Sequence, residues 1–205
     1  MTRVDPGTLA LYVVTADRAI VDAALEGGAT AVQLRAPDLS DDELTPLARS
    51  LASRCATAGV PLIVNDRVDV AVVSGAAGAH VGQRDQPATA RRRLGPDGIL
   101  GISVGTVDEA RAAEAADADY LGVTVWPTAT KSDARPVGVD GLREVVAATA
   151  LPVVGIGGID AGNARLVLEA GAAGVAVSGA VVTAPDPVRA IHELAAAIGI
   201  ASGRP

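Results

Sequence analysis

A short unit repeats along this chain: a turn rich in glycine, alanine or proline leads into a brief apolar run. The unit occurs seven times after a first apolar segment at 11–15, so the chain offers eight candidate strands. The runs are continuously apolar, as expected of parallel strands that are covered on both faces. The seven repeats read EGGATAVQLR, TAGVPLIVND, SGAAGAHVGQ, GPDGILGISV, ADADYLGVTV, ATALPVVGIG and EAGAAGVAVS.

The segments between these runs suit helices, including 40–58, 107–116, 161–170 and 186–198. Eight strands that alternate with helices predict an α/β fold, a (β/α)8 TIM barrel. The alternative is an open doubly wound sheet, in which a G-x-G-x-x-G would follow the first strand; LYVVTADRAI contains none. We expect a single compact domain over 1–205, with its core at about 11–198 and a first helix of about two turns (~7 residues).

Composition limits the location and partners of the chain. Hydrophobic residues make up 49% of it, which favours a globular protein, and the net charge of −7 argues against a nucleic-acid partner. The single cysteine, Cys55, excludes an intrachain disulfide and is expected in a helix core. Without an apolar run of about 18 residues or an apolar leader, we expect a cytoplasmic protein with no membrane partner.

Polar or glycine residues follow almost every predicted strand. In a barrel of this kind the active site lies at the carboxyl ends of the strands, so these residues are expected to share one rim. A turn or helix cap explains each one alone, but not so many at one end. The rim residues are Gln33, Arg35, Asn65, Asp66, Gln83, Asp85, Ser103, Thr128, Thr130, Lys131, Gly157, Gly158, Ser178 and Gly179.

Two of the rim residues are carboxylates that follow neighbouring strands. Asp66 and Asp85 could share a cation, and oxygen ligands of this kind suit Mg²⁺ beside substrate phosphates. Arg35 and Lys131 would add positive charge around a diphosphate. The alternative to a metal site is a local surface ion pair between Asp66 and Arg67, which would contribute little. Arg67 has either that role or a structural role at the start of the next helix.

Glycine-rich turns after the last two strands predict a second anion site. Gly157 and Gly158 in VVGIGGIDAGNA let backbone N–H groups approach a ligand, and Ser178 and Gly179 follow the next strand. Two anion sites in one mouth suggest transfer of an electrophilic group with diphosphate as the leaving group. We expect His80 to be a packed histidine and His192 to lie on the surface.

Several stretches, taken together and in this order, resemble the thiamine-phosphate synthase (thiamine phosphate pyrophosphorylase) family. They are VQLR, LIVNDRVDVA, AHVGQRD, GISV, DYLGV, WPTATK and VVGIGGIDAGNA, between about residues 11 and 190. The resemblance implies a (β/α)8 barrel enzyme of thiamine biosynthesis. Such an enzyme joins 4-amino-2-methyl-5-hydroxymethylpyrimidine diphosphate to a thiazole phosphate and releases diphosphate.

The resemblance also implies roles for individual residues. Asp66 and Asp85 would hold Mg²⁺, and Ser103 would sit near the pyrimidine. Arg35, Ser103 and Lys131 form the expected catalytic set. The pyrimidine diphosphate would bind to Gln33, Arg35, Asn65 and Lys131, and the thiazole phosphate to Thr128, Thr130, Gly157, Gly158, Ser178 and Gly179. Relatives are often dimers, so a homodimer is a further expectation.

This sequence departs from the family pattern at several positions. Pro37 stands where the family has a lysine, Gly105 where it often has a histidine, and VTVWP is shorter than the usual segment. Two alternatives therefore remain beside the synthase. One is a relative like the family's thiazole tautomerase branch, and the other is a non-catalytic protein that binds thiazole phosphate.

Overall fold

Eight parallel strands close into a barrel in a computed structural model of the protein, which describes residues 4–82, 86–128 and 135–200. Each strand pairs with the next in chain order, and β8 pairs with β1. The predicted (β/α)8 barrel is confirmed. The strands are β1 Leu11–Thr15, β2 Ala31–Leu34, β3 Leu62–Asn65, β4 Gly78–Val81, β5 Ile99–Val104, β6 Tyr120–Thr124, β7 Val153–Ile156 and β8 Gly174–Val177.

Helices connect the strands along the outside of the barrel. The first has nine residues, slightly more than the two turns expected from the sequence. None of the helices in the described residues has the length and apolar character needed to cross a bilayer. The helices are α1 Arg18–Glu26, α2 Asp41–Thr57, α3 Val68–Ser74, α4 Pro87–Leu94, α5 Val107–Ala115, α6 Gly138–Ala147, α7 Ala164–Glu169, α8 Gly179–Val182 and α9 Pro187–Ile198.

Local sequence signals set where these helices begin. Ser40 accepts a hydrogen bond from the Glu43 amide, and the Glu43 carboxylate accepts from the Ser40 amide, which forms a capping box at the start of α2. Proline occupies the first turn of both α4 and α9, where its missing N–H costs no hydrogen bond. The helix boundaries predicted at 40–58 and 186–198 are accordingly within one residue of those observed.

Two separate apolar cores hold the fold together. The larger lies between the strands and the surrounding helices, and it includes Cys55, which is fully buried as predicted. The smaller fills the barrel interior, where Leu9 of a 3-10 turn, Pro6–Leu9, packs among the inward side chains of the strands. His192 lies exposed on α9, also as predicted.

The inward side chains change character along the barrel axis. Toward the amino ends of the strands they are apolar, such as Ala31 and Ile63, and toward the carboxyl ends they become polar, such as Gln33 and Asn65. Several inward positions carry little or no side chain, including Gly101, Gly122 and Ala176. Among them, Gly122 and Ala176 border a cavity at the carboxyl end of the strands.

Candidate functional site

A cavity of about 690 Å³ opens at the carboxyl ends of the strands. That volume lies within the roughly 300–1,000 Å³ usual for small-molecule sites. The structure brings nine of the predicted site residues together around it: Gln33, Arg35, Asn65, Ser103, Thr128, Gly157, Gly158, Ser178 and Gly179. Gln83, Asp85, Thr130 and Lys131 lie outside the described residues.

Asp66 is exposed and follows β3 directly; its neighbour Asn65 lines the cavity, whereas Asp66 is not among the lining residues. Its backbone is left-handed (φ 61°), and its amide donates to the carbonyl of His80 on β4 at 2.8 Å. The side-chain amide of Asn65 donates to Asp66 Oδ2 at 2.6 Å. The bond to β4 holds the backbone of Asp66, and Asn65 contacts its carboxylate.

Arg67 has the structural role that was one of its two sequence interpretations. It precedes the first residue of α3, and its guanidinium pairs with the Asp41 carboxylate in the first turn of α2. This contact ties the loop after β3 to the neighbouring helix. It holds in place the segment that carries Asp66.

The turn after β7 depends on two consecutive glycines. Gly157 and Gly158 both have positive φ angles, 91° and 63°. A Cβ at Gly157 would lie 2.7 Å from the carbonyl oxygen of Trp126, so no larger residue fits there without a shift. Asn163 braces the turn by donating to the Gly158 carbonyl at 2.8 Å. Gly157 is buried and Gly158 is exposed, and both line the cavity together with Ser178, so their backbone is suited to contact an anionic group there.

A chain of hydrogen-bonded side chains crosses the floor of the cavity. Gln33 Nε2 donates to Tyr12 Oη at 3.0 Å, and Tyr12 Oη lies 3.0 Å from Tyr120 Oη. Tyr120 Oη lies 3.0 Å from His80 Nδ1, and His80 Nε2 lies 2.9 Å from Ser103 Oγ. Burial raises the pKa of both tyrosines, so each keeps its phenolic proton.

Sequence reasoning missed the two tyrosines and gave His80 only a packing role. His80 is indeed packed, since its ring lies 5.4 Å from that of Tyr120, but it also lines the cavity. A signal was available: the chain has no phenylalanine, and its two tyrosines fall within predicted strands. Large polar aromatics are unusual in a core otherwise made of Ala, Val, Leu and Ile.

The positions that depart from the family pattern have distinct surroundings. Pro37 is exposed and lines the cavity near Arg35, so a longer side chain there would reach the mouth. Gly105 does not line the cavity, and its amide donates to the Glu109 carboxylate at 2.7 Å.

Among the described residues that line the cavity, Arg35 is a cation and Asp17 a carboxylate, and the others are neutral side chains or backbone. Arg35 makes no side-chain hydrogen bond to any of the residues described, which leaves its guanidinium available to a ligand. Within 4–82, 86–128 and 135–200, no group of three or more His, Cys, Asp or Glu side chains forms a ready metal site. The described wall is suited to binding a polar, phosphorylated molecule.

Comparison with known proteins identifies relatives along most of the chain. The sequence matches the thiamine monophosphate synthase family over residues 11–181. A thiamine-phosphate synthase of Moorella thermoacetica is 48% identical over 188 residues, which cover 90% of each chain. One from a Roseiflexus species is 48% identical over 202 residues, covering 93% of this chain and 86% of its own.

Solved structures agree with the sequence relatives. The thiamine phosphate pyrophosphorylase of Pyrococcus furiosus superimposes with a TM-score of 0.87 at 40% identity, covering 95% of this chain and 97% of its own. The match includes the strands whose carboxyl ends form the cavity. The chain therefore belongs to the thiamine monophosphate synthase family.

Proposed function

We propose that this protein is a thiamine-phosphate synthase, a transferase of thiamine biosynthesis. It joins 4-amino-2-methyl-5-hydroxymethylpyrimidine diphosphate to a thiazole phosphate and releases diphosphate. The observation that carries the proposal is the single cavity wall that combines Gln33, Arg35, Asn65 and Ser103 with the glycine turn at Gly157 and Gly158. Membership of the family supports it.

The pyrimidine diphosphate is assigned to the side of the cavity formed by β2, β3 and β5. Gln33 and Ser103 supply neutral polar groups for the heterocycle, and both line the cavity floor. Asn65 and Arg35 lie nearer the mouth, where the guanidinium suits a diphosphate oxygen. Lys131, in the proposed catalytic set with Arg35 and Ser103, lies outside the described residues.

Asp66 and Asp85 are the residues proposed to hold Mg²⁺. The chemistry of Asp66 fits that ion, because its exposed carboxylate offers oxygen ligands at the mouth where the diphosphate would lie. When bound, Mg²⁺ would neutralise charge on the departing diphosphate.

The thiazole phosphate is assigned to the opposite side, after β6, β7 and β8. Thr128 lines the cavity there beside the backbone of Gly157 and Gly158, and Ser178 and Gly179 continue the same wall. Thr130, which lies outside the described residues, completes the proposed set. Backbone N–H groups at such turns are a common way for this fold to bind phosphate.

The reaction requires stabilisation of charge more than transfer of protons. The bond between the pyrimidine methylene carbon and the diphosphate oxygen breaks first, and the thiazole nitrogen then bonds to the methylene carbon. Arg35 can stabilise the charge that develops on the leaving group. No strong base is needed, which agrees with a wall whose one histidine, His80, has both ring nitrogens engaged by neighbouring hydroxyls.

The tautomerase alternative is less well supported by this site. That branch would use an acid–base histidine at the position of Gly105, which has no side chain and does not line the cavity. The site also carries Arg35 and Asp66 at the mouth, which a tautomerase would not need.

The proposal further includes a single barrel domain, a cytoplasmic location and a homodimer.

The decisive experiment is formation of thiamine phosphate from the two purified substrates, with Mg²⁺ and with a chelator. We expect Mg²⁺-dependent product and release of diphosphate. Folded protein that binds thiazole phosphate without turnover would instead identify the non-catalytic alternative. Isomerisation of a thiazole without any transfer would identify the tautomerase.

A further inference from the structure

The chain of hydrogen bonds on the cavity floor has a definite direction. The amide nitrogen of Gln33 can only donate, so Tyr12 Oη accepts there. Either tyrosine can donate in the contact between them, and the arrangement in which each hydroxyl accepts one bond and donates one has Tyr12 directing its hydrogen to Tyr120 Oη. Tyr120 Oη then directs its single hydrogen to His80 Nδ1. The neutral imidazole must carry its proton on Nε2, which donates to Ser103 Oγ.

The two ends of the chain face the ligand space with opposite character. Gln33 is 5% exposed, and its Oε1 has no hydrogen-bond partner within the described parts of the chain, while the side chain lines the cavity. At the other end, Ser103 Oγ accepts from His80, which leaves its hydroxyl hydrogen free to donate. The cavity therefore receives an acceptor from Gln33 and a donor from Ser103.

We propose that Tyr12, Tyr120 and His80 are positioning residues that fix this polarity of Gln33 and Ser103. Buried hydrogen-bond chains strengthen one another, so reversing one member requires reversing all of them. If the nitrogen and oxygen of the Gln33 amide were exchanged, every bond in the chain would run the other way, and His80 would carry its proton on Nδ1. The histidine tautomer thus reports the direction of the whole chain.

Two glycines on neighbouring strands make room for the central members of the chain. A Cβ at Gly101 would lie 2.4 Å from Tyr120 Oη and 2.5 Å from His80 Nδ1. A Cβ at Gly122 would lie 2.9 Å from His80 Cε1. Glycine at these two positions therefore leaves the space that Tyr120 and His80 occupy.

The polarity has a consequence for the substrate, which rests on the proposed function. The amino group of a 4-aminopyrimidine donates hydrogen bonds and complements Gln33 Oε1, whereas a 4-oxo group would place a second acceptor against it. A site built around such a bond discriminates strongly against an analogue that cannot make it. By orienting Gln33, the hydrogen-bond chain would therefore make the enzyme select the aminopyrimidine diphosphate over its 4-oxo analogue.

The first test is the tautomer of His80, read from the ¹⁵N chemical shifts of its ring in the free protein at neutral pH. The chain has two histidines, and the exposed His192 is assigned by the His192→Gln variant. We expect Nε2 protonated and Nδ1 bare. A proton on Nδ1, or on both nitrogens, would overturn the proposal. This measurement needs no substrate and is independent of whether the enzyme is a synthase.

The second test releases the Gln33 amide without removing it. Tyr12→Phe keeps the ring but removes the hydroxyl that holds Gln33 Nε2. We expect wild-type kcat/KM to favour the amino substrate by at least about 100-fold over the 4-oxo analogue, and this ratio to fall about tenfold in the variant. KM for the amino substrate should rise more than kcat falls.

Matched variants separate positioning from packing. Gln33→Ala should lower the amino/oxo ratio at least as far as Tyr12→Phe, whereas Val14→Ala, at another cavity-lining residue of β1, should leave the ratio unchanged. If Gln33→Ala lowers the amino/oxo ratio of kcat/KM but Tyr12→Phe does not, the hydrogen bonds through Tyr12 do not orient Gln33, and the proposal fails. Absence of any synthase activity in the wild type would defeat the proposed function alone, since the tautomer still decides the direction of the chain.

Discussion

Asp66 carries its carboxylate on a left-handed backbone, a conformation that β-carbon-bearing residues seldom adopt. Aspartate and asparagine tolerate it better than most residues, whereas alanine there costs about 1 kcal/mol relative to glycine. Position 66 therefore has two requirements: a residue that tolerates a left-handed backbone, and the carboxylate proposed to hold Mg²⁺. Substitutions can separate the two, because they alter backbone strain and charge differently.

Asp66→Ala, Asp66→Gly and Asp66→Asn should each lower Mg²⁺-dependent turnover on the order of 100-fold or more, because each removes the proposed metal-binding charge. Their free energies of unfolding should differ, with the alanine variant about 1 kcal/mol less stable than the glycine variant. Urea denaturation and steady-state kinetics measure the two effects. Unchanged turnover in the asparagine variant would contradict the metal assignment.

Pro37 offers a gain-of-binding test at the same mouth. Pro37→Lys adds a cation to an exposed, cavity-lining position near Arg35, so it should tighten the binding of inorganic diphosphate severalfold. Titration calorimetry at fixed Mg²⁺ measures the change, and Pro37→Gln controls for loss of the proline ring. Equal affinities in the lysine and glutamine variants would mean that position 37 does not face the diphosphate.

At the scale of elements, Arg91 clamps α4 to the start of β5 and β6. It is 11% exposed, pairs with the Asp119 carboxylate, which is 2% exposed, and donates to the carbonyls of Gly95 and Gly98. Asp119 also accepts from the amide of Leu100 at 2.7 Å. Its neighbour Arg93 instead forms an exposed pair with Asp69 on α3. The same helix therefore carries one buried ion pair, at Arg91, and one exposed ion pair, at Arg93, whose contributions to stability can be compared.

Arg91→Ala should lower the free energy of unfolding by about 3–5 kcal/mol, because it removes the guanidinium that neutralises the buried Asp119 carboxylate. Arg93→Ala should cost less than about 1 kcal/mol. Adding Asp119→Asn to Arg91→Ala should recover part of the loss, since the uncompensated charge disappears. Chemical denaturation of the wild type, the two single arginine variants and the double variant tests this order of stabilities. Equal losses of unfolding free energy from Arg91→Ala and Arg93→Ala would mean that the buried ion pair contributes no more than the exposed one.

At the scale of the whole molecule, the barrel keeps open space where most cores are filled. Small inward residues such as Gly122 and Ala176 leave the cavity of about 690 Å³ at one end of the strands. Its wall is assembled from residues far apart in the chain, such as Thr15 and Ser178. A ligand that bridges these strands should therefore stabilise the entire fold, by an amount that grows with the logarithm of its concentration divided by its dissociation constant.

Pyrimidine diphosphate with Mg²⁺ should raise the melting temperature, with about 2.7 kcal/mol of added stability at 100 times the dissociation constant. Removing Mg²⁺ with a chelator should abolish most of that shift, whereas the unliganded protein should melt at the same temperature with or without chelator. Differential scanning calorimetry measures all four conditions. A shift that is independent of Mg²⁺ would place diphosphate binding on Arg35 and its neighbours alone.

The sequence by itself determined the positions of the strands and of many helix ends. Each depends on residues close together in the chain: an apolar run after a glycine-containing turn, or the capping box formed by Ser40 and Glu43. It also placed Gln33, Asn65 and Ser103 at the carboxyl ends of their strands, where the rule for this fold puts the site. These features could be predicted because short-range signals encode them.

Only the tertiary structure decided how the cavity floor is built. Tyr12 and Tyr120 are 108 residues apart and meet only because the closed barrel places β1 and β6 across one interior. Strands buried on both faces have an almost uniform hydrophobic pattern, so the sequence did not reveal which residues face inward. The room left by Gly101 and the left-handed backbone of Asp66 likewise follow from contacts between strands, which no local pattern encodes.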